Sequence, residues 1–353
     1  MATRVLIVED SVFMQRLLAA LIGEADDLKV IGVAADPIEA RERIKALNPD
    51  VITLDVEMPR MDGLTFLERL MRLRPMPVVM VSSWTETNAK VTFDALQLGA
   101  VDFVAKPRGE GGRDTAEFGL ALVEKIRAAA GAEMKKAQPV AVAKPVASGT
   151  FRPNSLIAVG ASTGGTEAIR ELLGGLPADS PPVAIVQHMP EMFTRLFARR
   201  LDDLCALKVI EVGNGEVLRP GHAYVAPGNW HFAVAAGKNG RFEAKVHQED
   251  PVNRHRPSVD VLFRSVANAV GDRAAGVLLT GMGRDGAEGL GEMKRAGATT
   301  FAQDRDSCVV YGMPKVAIDA GYADHVGPVE TLAAKVVQSL RAPGNNSTSD
   351  VIG

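Results

Sequence analysis

The stretch Leu54-Asp55-Val56-Glu57-Met58-Pro59 places the carboxylate of Asp55 directly after a short apolar run. Other apolar runs in the first third of the chain end in the same way and deliver further polar side chains: Glu9, Asp10, Ser82 and Lys106. If these runs are neighbouring parallel strands, their carboxyl ends lie on one edge of a sheet, where open α/β folds place their sites. We therefore predict one pocket that gathers carboxylates, a hydroxyl and a lysine.

Such a pocket has a definite chemistry. Clustered carboxylates repel one another unless a cation neutralises them, and Mg2+ accepts an environment built of oxygen atoms. A phosphoryl group on Asp55 would find the cation, Ser82 and Lys106 placed to hold its oxygens. The alternative is that Asp10 only precedes a helix and that Lys106 is a solvated surface charge. The arrival of all these residues at strand ends argues against that alternative.

The first part of the chain alternates between strand and helix patterns. Runs rich in valine and isoleucine predict strands at 4–8, 29–34, 51–54, 77–82 and 101–104. Segments of helical period lie between and after them, at 12–24, 37–46, 63–73, 86–98 and 115–130. This alternation predicts a parallel sheet with helices on both faces.

Together these motifs resemble the receiver domain of two-component response regulators over residues 1–130. The resemblance implies a flavodoxin-like fold whose parallel strands follow the order 2-1-3-4-5. It implies that Asp55 accepts the phosphoryl group and that Ser82 and Lys106 contact that group. The ligands it implies for Mg2+ are Glu9, Asp10, Asp55 and the backbone carbonyl of Glu57.

Bulk composition narrows the class of protein. The 353 residues suggest two domains, and 46% hydrophobic with 24% charged residues is ordinary for a globular protein. The net charge of −3 gives no general attraction to nucleic acid or to anionic membranes. Cys205 and Cys308 lack the spacing of a zinc site or a disulfide framework. Because we find no secretory leader and no apolar run near the ~20 residues that cross a bilayer, we expect a cytoplasmic protein without membrane insertion.

The amino-acid composition changes near residue 131, and the helical period ends there. Residues 131–150 carry spaced prolines and small residues, which predict an extended linker. Residues 151–342 predict a second, larger α/β domain that is doubly wound and mainly parallel. Its buried strands are predicted at 156–160, 183–187 and 275–280. Residues 207–247 are typical of short hairpins that extend the sheet in a mixed or antiparallel way, and 343–353 predict a flexible tail.

Three predicted strands of the second domain end in residues with catalytic chemistry: Ser162, His188 and Asp285. A hydroxyl nucleophile, an imidazole base and a carboxylate that orients the base form a proton-relaying triad. Ser162 lies in a Gly-x-Ser-x-Gly pattern, which lets the chain turn sharply and expose the hydroxyl. The backbone amide of Met282 is the candidate donor to a developing oxyanion.

Each member of this triad has another explanation. Ser162 could cap the following helix, and His188 could be a core histidine. Asp285 competes with Asp304 and Asp306, which follow another strand-like run. The chain order Ser, His, Asp also differs from the Ser, Asp, His order of α/β-hydrolases.

Two other functional classes are open at this point. Gly160, Gly164 and Gly165 open a helix after a strand, as in dinucleotide-binding domains, although the spacing misses Gly-x-Gly-x-x-Gly. A transcription regulator is the second class, but residues 151–340 show neither a helix-turn-helix signature nor a basic stripe. His255 lies between two arginines and fits a substrate contact or a solvated loop equally well.

The second half is similar to the chemotaxis protein-glutamate methylesterase family, CheB, up to about residue 340. The similarity rests on the motifs Gly160–Gly165, Gln187–Pro190, Arg256–Phe263 and Leu279–Ala287. It implies that Ser162, His188 and Asp285 hydrolyse glutamate methyl esters on chemoreceptors, release methanol and reset adaptation without a cofactor for the hydrolysis. It also implies glutamine deamidation and a chemotaxis histidine kinase as the phosphoryl donor.

A receiver is a switch, so its linkage to an esterase suggests regulation. We expect the unphosphorylated receiver to cover the Ser162 edge of the second domain. Phosphorylation of Asp55 would draw Ser82 inward, let the Phe103 ring rearrange and relieve the inhibition. Only a difference in docking free energy between the two forms can drive this change.

Overall fold

The computed structural model describes residues 2–58, 61–83, 85–107, 112–132, 146–237 and 240–342. Most of the predicted linker and the whole of the predicted tail therefore lie outside the described residues. The domain boundaries given above stay predictions. Two parallel sheets, one in each half of the chain, organise the described part.

The first sheet contains five parallel strands. They are β1 (Thr3–Val8), β2 (Leu28–Ala34), β3 (Val51–Asp55), β4 (Val78–Ser82) and β5 (Asp102–Ala105). Their order is β2-β1-β3-β4-β5, and every neighbouring pair is parallel. All residues of β3, β4 and β5 are buried, which explains why their sequences are largely apolar rather than alternating. The predicted flavodoxin-like order is confirmed.

Helices cover both faces of this sheet. They are α1 (Val12–Gly23), α2 (Pro37–Leu47), α3 (Gly63–Leu73), α4 (Glu86–Gln97) and α5 (Gly112–Ala130). Alternate strand residues point to opposite faces, so one set packs with α2, α3 and α4 and the other with α1 and α5. The side chains of Ser11, Asp36 and Asp62 accept hydrogen bonds from backbone amides in the first turns of α1, α2 and α3. These caps fix where each helix leaves the polar edge of the sheet.

The second half is built on a larger sheet. Its strands are β6 (Leu156–Ala161), β7 (Val183–Gln187), β8 (Lys208–Glu211), β9 (Val217–Leu218), β10 (His222–Val225), β11 (His231–Ala236), β12 (Phe242–His247), β13 (Ala274–Leu278), β14 (Thr299–Gln303) and β15 (His325–Gly327). Its helices are α6 (Gly165–Gly174), α7 (Glu191–Leu204), α8 (Val259–Ala269), α9 (Ala287–Arg295), α10 (Met313–Asp319) and α11 (Val329–Leu340). Seven strands form one sheet in the order β15-β14-β13-β6-β7-β10-β8. Every pair in it is parallel, as predicted for this domain.

The hairpin prediction for residues 207–247 is only partly right. β8 and β10 join the main sheet, and both are parallel to their neighbours rather than antiparallel. β9, β11 and β12 instead form a separate antiparallel sheet. β11 packs on α8, so the small sheet covers a helix rather than extending the large sheet. Local sequence does not specify which distant strand a short segment pairs with.

The two halves meet at an aromatic junction formed by Phe93, Phe103, Phe193 and Phe197. Phe103 of β5 lies 4.4 Å, centroid to centroid, from Phe193 of α7. Phe93 of α4 lies 5.9 Å from Phe197 and 6.3 Å from Phe193. Arg200 adds a 3.0 Å ion pair with Asp94 and also lies over the Phe93 ring. Buried apolar residues of both halves therefore belong to one continuous core.

Candidate active site and phosphorylation site

The acidic pocket of the first domain lies at the carboxyl edge of its sheet. Carboxylate oxygens of Glu9, Asp10 and Asp55 all lie within 4.8 Å of one another. Lys106 Nζ lies 2.9 Å from Asp55 Oδ2 and 3.1 Å from Glu9 Oε2. The structure thus brings together the residues that the strand ends suggested, apart from Ser82, which is described below.

The charges of this pocket are not balanced. Burial, and then the nearby charge of Asp55, raise the pKa of Glu9 to about 7. Burial also raises the pKa of Asp55, against the opposing charge of Lys106. Burial lowers the pKa of Lys106, but the two carboxylates outweigh it, so the pKa is raised and the lysine stays charged. One lysine faces three carboxylates, and an oxygen-rich cluster with excess negative charge fits a divalent cation such as Mg2+.

Two further predicted residues flank the pocket. The backbone amide of Glu57 donates to Asp55 Oδ1 at 3.3 Å, while its backbone carbonyl as a metal ligand stays a prediction. Ser82 is fully buried, and a 3.0 Å hydrogen bond joins its hydroxyl to that of Thr92 in α4. The Ser82 hydroxyl is therefore held by the helix that carries Phe93 of the aromatic junction.

The three candidate catalytic residues follow adjacent strands. Because β13, β6 and β7 are neighbours, the residues after their carboxyl ends meet at one edge. The backbone amide of Ser162 donates to the Thr280 carbonyl at 3.0 Å, and that of His188 donates to Ala161 at 3.2 Å. These bonds fix the turn that carries Ser162 against the ends of both neighbouring strands.

Close packing explains the glycines around Ser162. A Cβ atom at Gly160 would overlap Val259, and one at Gly164 would overlap Val309. Gly164 also has φ 76° and is the N-cap of α6, without any side-chain cap. Ser162 is therefore not the helix cap. The Gln187 side chain fills the space beside Gly165, which leaves no cradle for a dinucleotide pyrophosphate.

His188 and Asp285 form a close pair. His188 Nε2 lies 2.9 Å from Asp285 Oδ2, and both side chains are almost wholly buried. Burial alone would raise the pKa of Asp285, but the hydrogen bond and charge of His188, together with Asn253 and Ser258, lower it strongly. Asp285 is thus a carboxylate that accepts the hydrogen bond from Nε2 of His188, and in the neutral imidazole this leaves the lone pair on Nδ1.

A shell of donors that the sequence did not suggest holds Asp285. Ser258 Oγ and Asn253 Nδ2 each donate to its Oδ1 at 2.7 Å, and the backbone amide of Val259 donates to its Oδ2 at 2.7 Å. The last of these donors belongs to the first turn of α8, whose N-terminus favours negative charge. Asp304, one of the two competing candidates, instead accepts from the backbone and hydroxyl of Ser307 in its own turn. The motif that contains Ser258 was visible in the sequence, but Asn253 gave no signal.

The hydrogen bond expected between Ser162 and His188 is not formed. Nδ1 of His188 is buried, and it has no hydrogen-bond partner among the described residues. Both side chains nevertheless line the same cavity of about 470 Å3, here called the interdomain cleft. Catalytic hydrogen bonds are often long in a resting enzyme and tighten when substrate binds. Met282 lies in the same turn as Asp285, and its amide as an oxyanion donor stays a prediction.

His255 is largely buried and uncharged. Its ring stacks on that of His188, with centroids 3.8 Å apart and planes 13° apart. Burial, reinforced by His188, lowers the pKa of His255 to about 3. Its Nε2 lies 3.8 Å from Glu124 of α5, but a neutral ring makes this a contact rather than an ion pair. The receiver-side wall of the interdomain cleft therefore touches the ring that packs on His188.

A parallel five-stranded domain with an acidic pocket, joined to a parallel α/β domain that gathers serine, histidine and aspartate, defines a receiver-coupled hydrolase. Comparison with known proteins agrees with both halves. Residues 5–111 match the response regulator receiver domain, and residues 157–336 match the CheB methylesterase model. The chain belongs to the CheB methylesterase family.

Similar proteins cover nearly the whole chain. A Dechloromonas aromatica protein named protein-glutamate methylesterase/protein-glutamine glutaminase 1 is 54% identical over 96% of this chain and 99% of its own. A Geobacter metallireducens protein of the same name is 51% identical over 98% of each chain. The Thermotoga maritima CheB methylesterase catalytic domain has 37% identity and a TM-score of 0.51, over 54% of this chain and 99% of its own. Within the ranges described, no helix has the length and apolar character needed to cross a membrane.

Proposed function

We propose that this chain hydrolyses glutamate methyl esters on chemoreceptors to glutamate and methanol, and that it also deamidates receptor glutamines. Phosphorylation of the receiver regulates both activities, and the protein acts in the cytoplasm. The observation that carries the proposal is the His188–Asp285 pair at 2.9 Å, whose histidine lines the same cleft as Ser162. More than half identity to proteins named for both activities supports the choice of substrate.

His188 is the proposed general base, and the geometry of its pair with Asp285 supports that role. Because Asp285 accepts from Nε2, the lone pair of Nδ1 is the site that takes the proton of Ser162. The Ser162 oxygen attacks the ester carbonyl, and the tetrahedral intermediate collapses as the proton on Nδ1 passes to the departing methanol. Water then repeats the sequence and releases the glutamate carboxylate. Deamidation follows the same route with ammonia as the leaving group.

Asp285 acts by holding the imidazole in one tautomer and orientation. Its own position is fixed by Ser258, Asn253 and the amide of Val259. The positive charge that develops on His188 would meet a carboxylate that is already ionised and buried, which stabilises the transition state. The Met282 amide is the proposed oxyanion donor.

Asp55 is the proposed phosphoacceptor, with a chemotaxis histidine kinase as the donor. Glu9, Asp10, Asp55 and the Glu57 carbonyl would hold Mg2+, which neutralises phosphoryl oxygens when it is bound. Lys106, already 2.9 Å from Asp55 Oδ2, would contact the phosphoryl group.

Regulation would act through the aromatic junction. Ser82 must leave its hydrogen bond with Thr92 to reach a phosphoryl group on Asp55, which frees α4 to shift. Phe93 lies on the same helix, and Phe103 lies on the strand that leads to Lys106. A weaker junction lets the receiver leave the interdomain cleft and admits the receptor. Nucleic acid has no place in this account.

The test is a measurement of volatile label from receptor membranes carrying radiolabelled methyl esters. The full-length protein should release methanol slowly, and addition of a small phosphodonor with Mg2+ should raise the rate several-fold. Asp55→Asn should keep the slow rate and lose the stimulation. Absence of release under both conditions would contradict the esterase assignment, and stimulation of Asp55→Asn would contradict the assigned phosphoacceptor.

A further inference from the structure

One side chain of the receiver reaches the residue next to the nucleophile. Thr163 directly follows Ser162, and its hydroxyl donates to Oδ2 of Asp102 at the start of β5. Thr163 is 3% exposed and Asp102 is 6% exposed, so water is largely excluded from this contact. The Asp102 carboxylate of the receiver therefore contacts the turn that carries Ser162 in the second domain.

The buried carboxylate is compensated from its own domain. Asp102 Oδ1 accepts from Lys125 Nζ at 2.6 Å and from the backbone amide of Phe103 at 2.7 Å. A buried carboxylate is tolerated when it is paired and hydrogen-bonded in this way. Its other oxygen, Oδ2, is directed at the catalytic domain and accepts from the Thr163 hydroxyl.

The turn that carries Thr163 is anchored within its own domain. The Thr163 carbonyl accepts from the Thr280 hydroxyl at 3.0 Å, which anchors the turn to the end of β13. Thr163 lines the interdomain cleft together with Ser162 and His188. When the receiver moves away from the interdomain cleft, the Thr163 hydroxyl loses the Asp102 acceptor and faces the space that a substrate enters.

We propose that the Thr163 hydroxyl is a substrate-binding donor for the γ-carboxyl group of the receptor glutamyl side chain, and that Asp102 occupies that position in the closed form as a mimic of the product carboxylate. The inference rests on the proposed function and deepens it. Asp102 carries the same functional group as the product glutamate, one methylene shorter. The Thr163 hydroxyl that donates to Asp102 belongs to the residue next to Ser162, and both residues line the interdomain cleft.

The position of Asp102 also links this contact to phosphorylation. Asp102 begins β5, and Lys106 directly follows the end of that four-residue strand. Ala105 pairs with Ser82 of β4. A movement of Ser82 and Lys106 toward a phosphoryl group would therefore displace the strand that carries Asp102.

The test uses the full-length protein, receptor membranes with labelled methyl esters, and initial rates with and without acetyl phosphate. Thr163→Val keeps the shape of the side chain and removes the hydroxyl, whereas Thr163→Ser keeps the hydroxyl. With acetyl phosphate, Thr163→Val should lower kcat/KM about tenfold or more, and Thr163→Ser should retain most of the wild-type value. Asp102→Ala should raise the rate without acetyl phosphate several-fold and leave the stimulated rate unchanged.

The result is different if the Thr163–Asp102 hydrogen bond only holds the two domains together and Thr163 does not bind substrate. In that case Thr163→Val would raise the unstimulated rate and leave the stimulated kcat/KM at the wild-type value, which would overturn the proposal. Equal loss in Thr163→Val and Thr163→Ser would also overturn it. Asp55 phosphorylation and circular dichroism verify folding, and Thr163→Ala serves as the second hydroxyl-free variant if valine prevents folding. Inactive wild-type protein would count against the proposed function, whereas active wild type with unaffected Thr163→Val counts against this inference alone.

Discussion

Truncation of Phe93 should release the catalytic domain without phosphorylation. Phe93→Ala removes two aromatic contacts across the junction, at 5.9 Å to Phe197 and 6.3 Å to Phe193. Each such pair contributes about 0.5–1.5 kcal/mol, so docking should weaken by about 1–3 kcal/mol. A free-energy change of about 1.4 kcal/mol shifts an equilibrium tenfold. The fraction of molecules whose receiver has left the interdomain cleft should therefore rise by about 5- to 150-fold, until most molecules are in that open state.

The assay is methanol release by full-length protein without a phosphodonor, compared with the rate after phosphorylation. Phe93→Ala should approach the stimulated wild-type rate, and phosphorylation should add little further. Phe13→Ala is the matched control, because it removes a phenylalanine of the same domain that is 68% exposed and lies in α1. If Phe93→Ala folds and its unstimulated rate equals that of wild type, occlusion by the docked receiver is wrong. Phosphorylation would then act by creating a productive interface.

Three other perturbations follow from the site geometry. Ser258→Ala removes a 2.7 Å donor to Asp285, so kcat should fall roughly tenfold with KM little changed; an unchanged kcat would show that this donor does not position the carboxylate. His255→Phe should make the free energy of unfolding less dependent on pH in the acid range. Because the pKa of His255 is lowered to about 3, the stabilisation from its neutral ring is complete above about pH 6.5. That stabilisation is lost as the pH falls from about 6.5 toward 3. Between pH 7.5 and 5, urea unfolding should show wild type losing about 1–2 kcal/mol more than the variant, and equal losses would contradict the burial of a neutral ring. Glu9→Gln should weaken Mg2+ binding in a calorimetric titration, and unchanged Mg2+ affinity would remove Glu9 from the ligand set. Without Mg2+ at pH 8 the same variant should have a higher free energy of unfolding. The reason is that it removes a buried carboxylate whose pKa is raised to about 7 by burial and by the charge of Asp55.

Much of the fold could be predicted from the sequence because parallel strands carry a strong local signal. β3 and β4 are buried on both faces, so their apolar runs and the polar residues after them are visible without a structure. The same logic placed Ser162, His188 and Asp285 after adjacent strands. The order of the strands was harder to obtain, since pairing depends on long-range packing, and the receiver resemblance supplied it for the first sheet.

The parts that the sequence did not predict depend on contacts between distant segments. Asn253 lies 32 positions before Asp285 and reaches it only because the loop before α8 folds over the edge of the sheet. Its amide also bridges to Asp260, so its role is set by two carboxylates at once. The stack of His255 on His188 is equally invisible in a sequence, because neither residue lies in a periodic pattern with the other. The contact of Thr163 with Asp102 crosses between domains, and no local propensity encodes it.

The loss of activity in Ser162→Ala tests the central claim most directly. Full-length wild type and variant should be incubated with phosphodonor, Mg2+ and methyl-labelled receptor membranes, with phosphorylation of Asp55 followed in parallel. We predict that the variant is phosphorylated like wild type and releases no methanol above the background of the membranes alone. Phosphorylation together with near-normal methanol release would contradict the account, because the hydroxyl beside the His188–Asp285 pair would then not be the nucleophile.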